Sequence, residues 1–342
     1  MRAMILKRTV SLESEDEPLE LVDLPMPVPA ANELLVRVLA CGVCHTELDE
    51  IEGRTIPPRY PVVPGHEIVG IVEAVGARVT LRRAGERVGV GWIHHSDGGG
   101  EENLSADFRA TGRDVNGGYA EYLTVPENYA FPIPAVFSDA EAAPLLCAGA
   151  VGYRALRLTR LENGERLGLM GFGGSAHLVL QMLRHLHPAS PVSVHARDAD
   201  ARRFARDLGA DWAGDTGEMP PEKSAAVIDT TPAWEPVLRA LETLRPGGRL
   251  VINAIRKEDF DKPLLRELSY RRHLWMEKEI KTVANVTGRD IADFLELAAE
   301  IPIRPEITTF PFEQANQALV SLKRHPVRGA KVLVMAGGGA RP

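Results

Sequence analysis

The chain has 342 residues, 44% of them hydrophobic and 25% charged, which exceeds the size of a single core and excludes the compositions of disordered and coiled-coil chains. Lysine plus arginine number 40 against 47 acidic residues, a net charge of -7, and no basic cluster outweighs the acids, so neither nucleic acid nor an anionic membrane is an expected partner. Two domains with small-molecule partners are expected. The N-terminal MRAMILKRTV lacks an apolar run of signal-peptide length. The longest uncharged stretch, Leu167 to Leu183, is too short to span a bilayer, and the expected address is the cytoplasm.

From residue 1 to about 145 the apolar runs are short and β-rich, as in Leu34 to Leu39, Ile68 to Val75 and Tyr119 to Val125, and proline and glycine break them. That pattern predicts a compact, irregular β domain. From about residue 150 buried-type strands, Arg166 to Met170, Pro191 to Ala196, Ala225 to Asp229 and Arg249 to Ala254, alternate with helical spacing over 175–187, 199–209 and 234–244. The alternation predicts βαβ units and a parallel sheet, an α/β fold. Amphipathic helices are expected over 290–300 and 312–324, and a last strand from Lys331 to Met335.

The strand ending at Met170 runs into Gly171, Phe172, Gly173, Gly174, Ser175 and Ala176 and then a helix, the glycine pattern of a dinucleotide turn in its required context. The first glycine permits the tight turn, the second lets the backbone approach a pyrophosphate, and Ala176 lets helix and strand pack closely. Phosphate then sits at the positive end of the helix. After the second strand, where an acid would bind the ribose 2′-hydroxyl, stand Ala196 and Arg197. A guanidinium there suits a 2′-phosphate, so NADP(H) is favoured over NAD(H), with Asp198 close enough to blur the signal.

Only three cysteines occur, Cys41, Cys44 and Cys147, too few for a disulfide framework. Two segments carry chemistry-capable side chains, Cys41-Gly-Val-Cys44-His45-Thr46-Glu47 and Pro64-Gly65-His66-Glu67, and a third, Leu145-Leu146-Cys147-Ala148-Gly149-Ala150, ends the β-rich region. With the glycine turn, these segments in this order resemble the zinc-dependent alcohol dehydrogenases of the medium-chain dehydrogenase/reductase superfamily, over essentially the whole chain. The resemblance implies a GroES-like β-rich catalytic domain, residues 1–148 and 285–342, around a Rossmann doubly wound parallel-sheet domain, residues 149–284.

It also implies one catalytic zinc held by Cys44, His66 and Cys147, with an open fourth position for an alcohol or carbonyl substrate. Glu67 and Glu47 match acidic positions beside the metal. Cys41 matches no ligand position and reads as a small buried core thiol. Thr46 matches the position that passes the alcohol proton onward. At the outer end of that relay Asp49 replaces the family's frequent histidine, and as a solvated carboxylate it is expected to accept the proton. His45 and Arg328 match pyrophosphate contacts, and Ile51 and Trp92 match walls of the substrate pocket, with Ile51 widening it beyond ethanol.

Many relatives carry a second, structural zinc in a lobe with four cysteines. Here Asp97 and Ser105 stand at the first and last of those places, the span is shortened to Gly98-Gly99-Gly100, and no cysteine remains. No structural zinc is therefore expected, weaker ligands such as His94, His95 and Asp97 notwithstanding, and residues 96–105 are expected to form a mobile glycine turn. The implied assembly is a homo-oligomer, a dimer or tetramer. The expected activity is reversible hydride transfer between a zinc-bound alcohol or carbonyl and NADP(H) or NAD(H). The alternatives are a zinc-free quinone or enone reductase of the same superfamily and a non-catalytic dinucleotide-binding protein.

Overall fold

The structure is a computed structural model that describes residues 1–301, 303–325 and 328–335. Met1–Cys147 and the chain from Val286 onward form one compact unit, and Ala148–Asn285 form a second. In chain order the first unit begins with β1 (Arg2–Ile5), β2 (Glu20–Asp23), β3 (Glu33–Val43), α1 (His45–Ile51), β4 (Ile68–Val75) and β5 (Arg87–Val90). It continues with β6 (Ile93–His95), β7 (Arg109–Ala110), β8 (Tyr122–Pro126), β9 (Ala130–Pro132) and α2 (Asp139–Ala142). The second unit holds α3 (Ala148–Thr159), β10 (Leu167–Met170), α4 (Ala176–Leu186), β11 (Val192–His195), α5 (Ala199–Asp207) and β12 (Trp212–Gly214). Then come β13 (Ser224–Asp229), α6 (Glu235–Thr243), β14 (Leu244–Ile252) and β15 (Glu279–Thr282). The chain returns to the first unit through α7 (Gly288–Glu300), β16 (Ile307–Pro311), α8 (Ala315–Arg324) and β17 (Ala330–Val334).

In the first unit a seven-stranded sheet runs β16-β17-β3-β4-β5-β9, with β8 also on β3. The long strand β3 organises it. Its first half pairs with β8 and its second half with β17, while β4 covers its other edge throughout. With both edges paired, β3 is buried along nearly its whole length, and its end delivers Cys44 to the start of α1 at a fixed place.

In the second unit six strands lie parallel in the order β12-β11-β10-β13-β14-β15. The chain order reverses between β10 and β13, the switch point at whose carboxyl end a doubly wound sheet binds its ligand. β10 and β11 are buried at every position, as strands covered on both faces must be. Helix α3 approaches α4 closely because Gly152 has no side chain; a Cβ there would lie 2.8 Å from Ser175 Oγ and 2.9 Å from Val179 Cγ2. At the carboxyl end of β13 the buried Asp229 is ion-paired with Lys257 Nζ, which also donates to the carbonyls of Thr231 at 2.7 Å and Ala233 at 2.9 Å. Asp229 in turn accepts from the Thr231 N–H and hydroxyl at 2.9 and 2.7 Å. Burial still holds its pKa above the ordinary aspartate value, against the pull of Lys257. A polar cavity of about 220 Å³ lined by Arg160, Arg245, Arg249 and Glu279 lies at the opposite, amino-terminal end of this sheet, the end away from the switch point.

Candidate metal centre and dinucleotide turn

Four side chains meet in the first unit. One ligand atom each from Cys44, His66, Glu67 and Cys147 lies within 4.8 Å of the others, and among the described residues no other such group of histidine, cysteine and carboxylate side chains forms. Cys44 precedes α1, His66 and Glu67 lie just before β4, and Cys147 follows the tight turn Ala143–Leu146. Glu47, one turn into α1, ties two of them together. Its Oε1 lies 2.5 Å from His66 Nδ1, and its Oε2 accepts the Cys44 N–H at 2.8 Å. With Nδ1 engaged, His66 keeps a buried Nε2 that has no protein partner, the atom an imidazole offers to a metal.

The electrostatics match a cation-binding set. A hydrogen bond from Cys147, helped by His66, holds the Cys44 thiol well below its ordinary pKa despite burial. The same bond, with burial, pushes Cys147 up. Burial works against a charged His66, but Glu47 and Cys44 outweigh it and its pKa stands well above the usual histidine value. Burial and the nearby Cys44 push Glu67 up. Two thiol ligands and an imidazole, with a carboxylate beside them, suit zinc. Gly42 is required here and has no signature of its own in the sequence. A Cβ on it would lie 1.7 Å from Glu67 Oε2, so any side chain would displace the carboxylate. Cys41 is fully buried in β3 and outside the cluster, a core thiol with its pKa raised by burial.

The other expected residues of this unit divide. Thr46 is buried with Oγ1 3.7 Å from Cys44 Sγ. Ile51 is fully buried at the end of α1. Trp92 stands beside the cluster, its ring 6.2 Å from that of His66 and 5.6 Å from that of Phe108. The expectation of a solvated Asp49 is corrected: its side chain is fully buried and Oδ1 is ion-paired with Arg54 Nε at 2.6 Å. The chain turns back after α1 and folds Arg54 over the helix, closing the carboxylate off from water. His45 is exposed at the first position of α1. Arg328 is exposed and ion-paired with Glu306 at 3.2 Å.

In the second unit Gly171 follows β10 with φ +82°, and a Cβ there would lie 2.9 Å from Thr230 Oγ1 and Thr231 Cγ2. A Cβ on Gly173 would meet nothing within 4 Å, so the backbone is open on the side a pyrophosphate would approach. Gly174 and Ser175 complete the turn, and Ser175 Oγ accepts from Asn253 Nδ2 at 3.2 Å. Ala176 is fully buried. Phe172 turns inward, edge-on to Phe204 at 5.5 Å. Ala196 is buried and Arg197 exposed. Asp198 is committed elsewhere: its carboxylate caps α5, accepting from the N–H groups of Asp200 at 3.2 Å and Ala201 at 3.3 Å.

In the 96–105 loop the tip and the shoulders differ. Only the glycine tip is open, with nothing near a Cβ on Gly98 or Gly100. The shoulders are fastened by the buried Glu102, whose Oε2 accepts from Ser96 and Tyr129 hydroxyls at 3.0 Å each and whose Oε1 accepts the Gly288 N–H at 2.5 Å. Ser105 Oγ accepts the Asp97 N–H at 3.4 Å, joining the two ends of the shortened lobe. Asp97 Oδ1 accepts from the Gly99 N–H at 3.0 Å, while His94 is largely buried and held neutral, its pKa pushed down to about 4 by desolvation.

Residues 30–135 match the alcohol dehydrogenase GroES-like domain. A probable alcohol dehydrogenase of Mycobacterium tuberculosis is 43% identical over 329 residues, 93% of each chain. Among solved structures, a cinnamyl alcohol dehydrogenase from Sorghum bicolor superposes with a TM-score of 0.81 at 25% identity, covering 97% of both chains. A cobalt- and zinc-bound thermostable alcohol dehydrogenase from Pyrobaculum aerophilum shares the fold with a TM-score of 0.83 at 24% identity, over 98% of this chain and 99% of that one. The chain belongs to the zinc-type alcohol dehydrogenases of the medium-chain dehydrogenase/reductase superfamily.

Proposed function

We propose that the protein is an NAD(P)-dependent alcohol dehydrogenase that binds one catalytic zinc through Cys44, His66 and Cys147 and interconverts small alcohols with their aldehydes or ketones. The observation that carries this reading is the convergence of those side chains with Glu67 within 4.8 Å. It weighs against the zinc-free quinone or enone reductase and against a non-catalytic dinucleotide-binding protein, neither of which needs such a set. Zinc bound there supplies a Lewis acid that lowers the pKa of an alcohol hydroxyl toward neutrality.

The chain's own residues do the rest. Glu47 fixes the His66 ring so that Nε2 is presented to the metal. Glu67, whose carboxylate lies with the other three ligand atoms, would be an additional, exchangeable donor to the metal. Thr46, beside Cys44, would relay the alcohol proton, accepting it as its own hydroxyl proton passes onward through the cofactor ribose. From there the proton does not pass to a solvated Asp49, because Arg54 holds that carboxylate inside. His45 and Arg328 contact the pyrophosphate, and the turn at Gly171–Ala176 carries it at the head of α4. Assembly as a homo-oligomer belongs to the same reading.

Elemental analysis of the purified protein tests it: about one zinc per chain is expected, together with alcohol oxidation that chelators abolish and added zinc restores. A metal-free chain that reduces enones or quinones in the presence of chelator overturns the reading.

NADP(H) is the preferred dinucleotide in this proposal, supported by the exposed Arg197 and by the diversion of Asp198 into its helix cap. Arg197→Ala is expected to weaken NADP(H) by about 1–2 kcal/mol more than NAD(H), as loss of a charge-assisted hydrogen bond would. Equal losses for the two cofactors in a binding titration would remove the assignment.

A further inference from the structure

Glu50 lies on the face of α1 that carries Thr46 and Glu47, four and three residues before it. It is 1% exposed, and neither carboxyl oxygen has a hydrogen-bond partner. It stands within charge–charge range of Glu47, His66, Arg113 and Cys44. A second group is unmet beside His66: the indole N–H of Trp92 is buried without a partner, on a ring whose centroid lies 6.2 Å from that of His66. The Arg113 guanidinium covers that ring at 5.4 Å and is ion-paired with Asp114 at 2.8 Å. Buried polar groups are nearly always paired, so an acceptor and a donor left open beside a candidate active centre mark a place for a ligand.

Resting on the alcohol dehydrogenase reading above, we propose that Glu50 and Trp92, backed by Arg113, form a polar subsite for a second hydroxyl group of the substrate, making diols and polyols the preferred alcohols. A hydroxyl both donates and accepts, and so matches an open carboxyl and an open N–H. A carboxylate tail meets Glu50 with like charge. An ammonium has nothing for the indole N–H to donate to and meets the Arg113 charge. A hydrocarbon tail leaves both protein groups unmet, which is how a site built for a hydroxyl rejects the analogue that lacks one.

The test is the ratio of kcat/KM for propane-1,3-diol, butane-1,4-diol and pentane-1,5-diol over propan-1-ol, butan-1-ol and pentan-1-ol, with zinc-loaded enzyme and NADP. At least one diol is expected to exceed its monohydric counterpart by about tenfold or more. Trp92→Phe, which keeps the ring and deletes the N–H, and Glu50→Leu are each expected to bring the ratio toward one, whereas Glu50→Gln, which keeps an acceptor, retains most of it. Saturation-transfer NMR on the zinc-loaded protein without dinucleotide reads diol binding apart from turnover, and the signal is expected to fall in Trp92→Phe. Ratios near one in the parent enzyme, or unchanged by both Trp92→Phe and Glu50→Leu, overturn the subsite while leaving alcohol oxidation in place. Absence of turnover with every alcohol overturns the functional reading and the subsite with it.

Discussion

Replacing Cys147 by serine is expected to bring zinc from about one per chain to a small fraction of that, and kcat/KM for alcohol oxidation down by about 10³-fold or more. The two effects share a cause. A serine hydroxyl does not ionise near neutral pH and is a poor zinc ligand, so a set of two thiolates and one imidazole loses a full member. Removing a Lewis acid from a charge-developing centre costs several kcal/mol, and about 4 kcal/mol corresponds to the stated factor. Elemental analysis and steady-state kinetics on one preparation check both halves; full zinc with near-parental turnover would show that Cys147 is not a ligand.

The largest expected effect on stability lies in the other unit. Lys257→Met is expected to destabilise it by about 3–5 kcal/mol, because it leaves Asp229 buried beneath the loops after β13 and β14 without its cation. Three acceptors lose a donor at once: the Asp229 carboxylate, which keeps only its bonds from Thr231, and the carbonyls of Thr231 and Ala233. Pairing the change with Asp229→Leu removes the stranded charge, so the double variant is expected to be more stable than Lys257→Met alone. Chemical denaturation of the three proteins checks this; a double variant no better than the single one would mean that the Lys257 bonds to the two carbonyls outweigh the ion pair.

The parallel sheet was legible because its strands are uninterrupted apolar runs such as Leu167–Met170 and Ala225–Asp229, and the glycine turn because its conformation demands glycine at position 171. Helix α3 was not: its buried face is built from Gly149, Ala150, Gly152, Ala155, Leu156 and Thr159, of which only Leu156 is a large apolar residue. The edge strand β15 is exposed at all four positions and alternates nothing. The metal set came from resemblance alone, since residues separated by about a hundred positions are joined by the path of β3 and the turn before Cys147. The fate of Asp49 depended on Arg54 folding back over α1, and that of the 96–105 loop on Glu102 meeting Gly288, 186 positions away. No local pattern announces either.

That last bond, with the pairing of β17 to β3, bears on how the chain is made. At the moment Cys147 has been synthesised, the second half of β3 has no neighbour on one side and Glu102 has no Gly288 to receive. At roughly 5–20 residues per second, β17 follows about 10–40 s later. Through that interval the nascent sheet exposes an open apolar edge, a surface prone to association with other chains, while Ala148–Asn285 is completed in sequence before β17 and can fold first. Order of folding on the ribosome therefore runs opposite to order of synthesis: the unit begun first is finished last, and a chaperone that shields a strand edge has its longest window of action there.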